Sequence, residues 1–312
     1  MSPARAVVFA YHDVGVRCLK ALLSAGVEIP LVVTVPDDPR ERQWYASVAA
    51  TAADYGLRVI APAEANSPEL ERTVSELRPD FLFSFYYRAM LGAPLLRAAS
   101  RGALNMHGSL LPKYRGRAPV NWAIVRGERE SGATLHYMVE RADAGDIVDQ
   151  QSVPILLDDD AREVFAKVTV AAEMVLARSL PALIIGTAPR RPQPLLPGEY
   201  FGRRRPEDGR IDWTRSAADI HNLVRAVAPP FPGAFAMVGG ERWEIQRTRL
   251  GGQPAPAGAP LEPPYLFGAA GACYVACCDG GVLRLLSVTG SRGPVDLAGL
   301  AHLLAQQPAP LG

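Results

Sequence analysis

The chain has 312 residues, 48% of them hydrophobic, and a formal charge of +1, which allows one large domain or two ordinary ones and gives no support for a long polyanionic partner. Its four cysteines, Cys18, Cys273, Cys277 and Cys278, lack CxxC spacing, so no zinc or redox motif is expected, and reduced thiols in a cytoplasmic protein are. The opening MSPARAVVFAYHDVG has too short an apolar stretch for a signal-peptide core or a membrane span, and no membrane insertion is expected.

Short β-rich runs then alternate with helix-like stretches: AVVFA at 6–10, LVVTV at 31–35, LRVIA at 57–61, FLFSF at 81–85 and ALNMH at 103–107. Such alternation predicts an α/β, Rossmann-like fold with a mostly parallel sheet. VRCLKALLSAG suits one crossover helix with Gly26 as its stop. ATLHYMV at 133–139 and IVDQQSVPI at 147–155 predict two further strands, and 160–185 a long helix, closing a first domain at 186. TAPRRPQPLLPG at 187–198 holds four prolines and reads as a semi-rigid linker, taken to extend over 187–215. From 216 to 312 a smaller β-rich domain, OB-like, follows: a helix at 216–227, then strands in PPFPGAFAMV, ERWEIQRTRL, CYVACC and VLRLLSV, with a mobile surface loop at 253–264, and LAHLLAQQPAPLG at 300–312 reads as a natural end.

A parallel sheet invites a dinucleotide, but the turn after the first strand reads AYHDVG with a single glycine, and no P-loop occurs. Ligands of such sheets still bind beyond the carboxyl ends of the strands, where ALNMH delivers Asn105 and His107. An amide that donates to a developing oxyanion beside an imidazole that moves protons suits acyl transfer, and Asp143 in RADAGDI is a carboxylate able to favour the charged imidazole. By residue type alone, a histidine at a strand end more often packs structurally, and an aspartate before Ala-Gly more often forms a turn.

The longer context changes that balance. NMHGSLLPKYRGRAPVNWAI, then GATLHYMVERADAGDIV, then IHNLVRAVAPPFPGAF resemble the signature of the 10-formyltetrahydrofolate-dependent formyltransferases over most of the chain. Within that superfamily AYHDVG, FSFYYR, HGSLLPKYRGRAPVNW, RADAG and FGRR are most similar to the formyltransferase domain of the bifunctional polymyxin-resistance enzyme, which formylates UDP-4-amino-4-deoxy-L-arabinose for lipid A modification in lipopolysaccharide biosynthesis. The resemblance implies that Asn105 stabilises the oxyanion, that His107 transfers the proton and that Asp143 raises the pKa of His107. It implies that 10-formyltetrahydrofolate, as donor, is lined by Arg117, by the segment Val139, Glu140, Arg141, Ala142 and Asp143, and by the backbone at Ala89, Met90 and Leu91. No metal is called for.

The branch of the superfamily is read from smaller differences. YHDVG and YRGRAPV depart from the GTPxFA and YRGAAPI usual in methionyl-tRNA formyltransferase, and residues 187–312 lack lysine, so the acceptor is expected to be a small-molecule nucleotide sugar and not a nucleic acid. Arg203 and Arg204 in FGRRRPEDG are candidates to hold its diphosphate, a solvated linker being the alternative. Nothing here encodes the decarboxylase domain of the bifunctional enzyme, so a separate upstream decarboxylase is expected. A formyltetrahydrofolate hydrolase using the same three residues with water as acceptor is the more remote alternative.

Overall fold

The computed structural model describes residues 3–36, 43–195, 200–255 and 262–311. These form two compact units: Met1–Pro119, Glu130–Pro154 and Phe165–Gly202 in the first, and Val120–Arg129, Ile155–Val164 and Arg203–Gly312 in the second.

The first unit contains β1 (Arg5–Ala10), α1 (His12–Ser24), β2 (Glu28–Val33), α2 (Val48–Asp54), β3 (Val59–Ile60), α3 (Pro68–Glu76), β4 (Phe81–Phe85), α4 (Ala93–Arg97), β5 (Gly102–His107) and β6 (Arg115–Gly116). After α5 (Pro119–Val125) come β7 (Glu130–Tyr137), β8 (Ile147–Pro154), the long α6 (Ala161–Ile185) and β9 (Tyr200–Phe201). Seven strands make one sheet in the order β3-β2-β1-β4-β5-β7-β8. The first five are parallel, whereas β7 runs antiparallel to β5 and β8 antiparallel to β7.

The central strands β1 and β4 are buried almost throughout, as expected where helices cover both faces of a parallel sheet. Val7, Phe9, Leu31, Val33 and Leu82 pack on Leu70 and Val74 of α3 and on Leu95 of α4. Ser47 and Ser67 cap α2 and α3 by accepting the backbone N–H of Ala50 and Leu70. The strand expected at 31–35 begins earlier, at Glu28, and that at 57–61 shrinks to two residues paired with Val32 and Val33. Helix α6 is long and apolar enough, by length and composition alone, to cross a membrane; half of its most apolar window is buried in the protein, the character of a core helix.

The second unit has α7 (Ala217–Ala226), β10 (Ala234–Val238), β11 (Glu241–Leu250), β12 (Tyr265–Ala269), β13 (Ala272–Ala276), β14 (Val282–Gly290), β15 (Gly293–Pro294), α8 (Leu297–Gln306) and β16 (Ala309–Pro310). Its antiparallel sheet runs β10-β11-β14-β13-β12-β16, and among the described residues the edges β10 and β16 do not pair, so the barrel is half-closed. Helix α8 and strand β16 lie in a stretch to which the sequence reading assigned no element. Asp296 caps α8 by accepting the N–H of Ala298 and Gly299, and Ala301 and Leu304 are buried. Strand β12 also escaped the sequence reading. Of the loop expected at 253–264, residues 256–261 lie outside the described residues, as do 196–198 of the proline-rich linker.

Candidate active site

Alternate residues of a strand share a face, so Asn105 and His107 project together from β5. The antiparallel register of β7 sets His136 opposite Asn105 and Thr134 opposite His107. The loop from β7 to β8 brings in Asp143. Its Oδ1 lies 3.4 Å from Asn105 Nδ2, 3.5 Å from His107 Nδ1 and 3.6 Å from His136 Nε2. The three residues singled out in the sequence are therefore brought together, and a fourth, His136, joins them.

The partners settle where protons sit. His107 Nε2 is 2.9 Å from the carbonyl of Tyr114, and a carbonyl only accepts, so Nε2 carries a hydrogen. Nδ1, facing Asp143, is the position that gains or loses a proton. His136 Nδ1 likewise donates to the carbonyl of Tyr137 at 2.8 Å, leaving Nε2 to accept from Asn105 Nδ2 at 3.2 Å when the ring is neutral. Both contacts orient the Asn105 amide with its nitrogen towards the carboxylate and the ring, since its oxygen would meet lone pairs there.

Burial works against ionisation of Asp143, but the neighbouring imidazoles of His107 and His136 and the N–H of Gly116 outweigh it and hold the carboxyl far below its usual range. That N–H donates to Oδ2 at 2.9 Å. Asp143 is thus an anion at neutral pH, shared by three side chains and one backbone amide. Linker residue Gln193 braces the same loop, donating through Nε2 to the carbonyls of Asp143 at 3.1 Å and Gly145 at 2.6 Å. Tyr86, Tyr114, Ala118 and Asp143 all have positive φ, between 51° and 57°, although none is glycine. Strain of this kind costs about 1–3 kcal/mol per residue and gathers where surrounding structure imposes a working geometry.

The remaining expected residues divide. Arg117 is exposed, and its Nη2 donates to the carbonyl of Arg88 at 3.0 Å, which joins it to the loop holding Ala89, Met90 and Leu91. Ala89 and Met90 are exposed, whereas the Leu91 side chain is buried in the core and offers only its backbone. Asn66, unnoticed in the sequence, clamps that loop by donating to Met90 O and accepting from Gly92 N. Val139, Glu140 and Arg141 are exposed on the loop ahead of half-buried Ala142 and Asp143. Arg203 and Arg204 belong to the second unit. There Arg203 is exposed, while the Arg204 guanidinium lies 4.8 Å from the Trp122 ring centroid and donates to Asp208 O.

Arg115 is nearly fully buried, which no local pattern announced. His136 sits in the quoted GATLHYM run, but only the strand register reveals its partners. All four cysteines are free, Cys278 alone being exposed, and among the described residues no cluster of His, Cys, Asp or Glu has metal-binding geometry.

The fold has solved relatives. An N-formyltransferase from Helicobacter canadensis, described in complex with folinic acid and dTDP-3-aminofucose, superposes with a TM-score of 0.70 at 21% identity, covering 91% of this chain and 99% of its own. WlaRD, described as a sugar 3N-formyltransferase in the presence of dTDP and 5-N-formyl-THF, gives 0.71 at 18% identity, with 95% and 99% covered. HypX from Aquifex aeolicus, described in complex with tetrahydrofolic acid, gives 0.63 at 18% identity and covers all of this chain but 49% of its own. Residues 204–296 match the formyl transferase C-terminal domain. Residues 5–180, which carry Asn105, His107 and Asp143, match the formyl transferase family itself, and to that family of enzymes the chain belongs.

Proposed function

We propose that the protein transfers a formyl group from 10-formyltetrahydrofolate to the amino group of a nucleotide-linked amino sugar, the 4-amino group of UDP-4-amino-4-deoxy-L-arabinose in particular, as a step of lipid A modification linked to polymyxin resistance. The observation that carries the reading is the convergence of Asn105, His107 and His136 on one carboxylate, Asp143. An amide donor, a proton-carrying imidazole and a fixed anion are the parts that acyl transfer to nitrogen requires.

The roles assigned here are those the family resemblance implies, and the proximity of the residues supports them. Asn105 turns one N–H, released from its 3.4 Å contact with Asp143 or its 3.2 Å contact with His136, to the formyl oxygen as charge builds there. His107 takes up and releases a proton at Nδ1, the nitrogen that Tyr114 leaves free, and so serves both the attacking amine and the departing nitrogen. Asp143 keeps that proton available. The donor supplies the one-carbon group, and its binding falls to Arg117, the exposed stretch Ala89–Met90 with the Leu91 backbone, and Val139 to Asp143. The fit rests on chemistry present here: exposed residues in the loops that hold Ala89–Met90 and Val139–Arg141, and a guanidinium already tied to the first of those loops. Arg203 and Arg204 are assigned to the acceptor diphosphate. We assign catalysis to residues 1–186, the linker to 187–215 and the C-terminal domain to 216–312, in a cytoplasmic enzyme supplied with its amino sugar by a separate decarboxylase pathway.

The folinic acid and dTDP-3-aminofucose named for the Helicobacter relative support a folate donor and a nucleotide-sugar acceptor, and make a dTDP-linked 3-amino sugar the second reading. The test is formyl transfer by purified protein with 10-formyltetrahydrofolate and, in parallel, UDP-4-amino-4-deoxy-L-arabinose, dTDP-linked 3- and 4-amino sugars, methionyl-tRNA and no acceptor. Product with the UDP sugar, reduced about a hundredfold or more in Asn105→Ala or His107→Ala, is expected. Product with methionyl-tRNA alone, or donor consumption without acceptor, would refute it.

A further inference from the structure

Between Ile185 and the second unit, the linker returns to the first unit as strand β9, only two residues long, which pairs in parallel with β6. An isolated pair this short has little stability of its own and needs side-chain packing to persist. The packing comes from Phe201. Its ring lies 4.9 Å from that of Tyr114 at an interplanar angle of 35°, and its carbonyl accepts the N–H of Arg117 at 2.9 Å.

What Phe201 touches are the two groups that hold the catalytic pair. Tyr114 gives the carbonyl that fixes His107 Nε2. Gly116, whose N–H fixes Asp143 Oδ2, is paired with Phe201 across β6 and β9. A Cβ added at Gly116 would strike the carbonyl oxygen of Phe201, and φ there is +105°, so the close approach of the two backbones needs glycine.

We propose that Phe201 is a positioning residue for formyl transfer, acting through Tyr114 and Gly116 to hold His107 and Asp143 in register, and touching neither substrate. The inference takes the roles of His107 and Asp143 under the proposed function as given. It assigns a task to the phenylalanine of FGRR, a motif whose arginines alone drew notice in the sequence. Removing the ring frees the Tyr114 carbonyl and loosens the β6–β9 pair, and a displacement near 1 Å in such a constellation can cost about a hundredfold in rate.

The test compares wild type with Phe201→Ala, Phe201→Leu and Phe201→Tyr, all as full-length chains. Turnover is measured with whichever acceptor the wild type formylates, and the ring nitrogens of the five histidines are followed by NMR on histidine-labelled protein without substrate. Expected are a kcat lowered about tenfold to a hundredfold in Phe201→Ala with KM for both substrates changed less than about threefold, recovery in Phe201→Tyr, and a moved His107 ring pattern with that of His221 unchanged. Phe201→Leu keeps apolar bulk should the alanine variant fail to fold, and an intermediate shift of His107 is expected there. A His107 pattern unmoved in every folded variant overturns the proposal whatever the activity. A wild type that transfers no formyl group to any acceptor overturns the functional reading instead, and the NMR comparison still decides the role of Phe201.

Discussion

Gly108 follows His107 directly, and its environment allows a quantitative prediction. A Cβ built there falls inside 3.0 Å of the Tyr86 hydroxyl oxygen and 2.9 Å from Tyr86 Cζ, where ordinary contact begins near 3.4 Å. The ring cannot easily move away: Tyr86 has φ +57°, and its ring meets Phe165 edge-on at 5.4 Å. Its hydroxyl is buried and, among the described residues, has no hydrogen-bond partner, with burial pushing its pKa upward. Gly108→Ala should therefore destabilise the protein by about 1–3 kcal/mol through overpacking. Tyr86→Phe alone removes an oxygen that bonds to nothing and should be neutral or slightly stabilising, since only a satisfied group loses a hydrogen bond. In the double variant the oxygen is gone but Cζ remains close, so rescue should be partial, with a coupling of about 1 kcal/mol or more. Urea unfolding of the four proteins, followed by tryptophan fluorescence, measures each term, and formyl-transfer rates should follow the same order. Additivity of the two substitutions within about 0.5 kcal/mol would show that the hydroxyl is not what makes glycine necessary.

Three further substitutions have defined outcomes. Asp143 has its folded-state pKa lowered, so its contribution to stability is present above the ordinary carboxylate pKa and lost as pH falls towards the folded value; the stability gap between wild type and Asp143→Asn should close as pH is taken from about 5 towards acid, as read by pH-dependent unfolding. His136→Phe should cost about 1–3 kcal/mol in the same measurement by leaving the Tyr137 carbonyl and the Asn105 amide short of a partner, and should also lower the transfer rate. Asp296→Ala removes the cap of α8 and should lower stability by about 1 kcal/mol, detected in thermal unfolding, with formyl transfer at 25 °C unchanged.

Much of this was readable from the chain because local signals and tertiary demands agreed. FLFSF at 81–85 and ERWEIQRTRL at 241–250 became strands with those same limits, one buried throughout and apolar but for Ser84, the other alternating on an antiparallel sheet. Disagreement arose where a neighbour decided the outcome. LRVIA lies at the sheet edge and pairs through only two residues. LAGLAHLLAQ carries a glycine unfavourable to helix, yet its cap at Asp296 and its buried Ala301 and Leu304 make it one. Within the site, the motifs made Asn105, His107 and Asp143 legible by residue type, whereas His136, Gly116, Gln193 and Phe201, two of them inside those same motifs, act through register and backbone contacts between segments far apart in sequence. No window of adjacent residues contains that information.

The antiparallel pairing of β5 with β7 has a consequence for how this sequence can vary in length. Side chains alternate every residue, so one residue gained or lost within β7, between the hairpin loop and His136, would set an apolar neighbour, Leu135 or Tyr137, opposite Asn105 and turn the imidazole to the other face. A substitution there alters one contact; an insertion or deletion exchanges the whole wall of the site. The irregularity in β8, which steps from Asp149 opposite Leu135 to Ile147 opposite His136, shows where an extra residue can be carried: on the outer strand, where β5 does not feel it. Length variation in related chains is accordingly expected in β8 and in the loop ahead of Asp143, and β7 is expected to act as a fixed ruler.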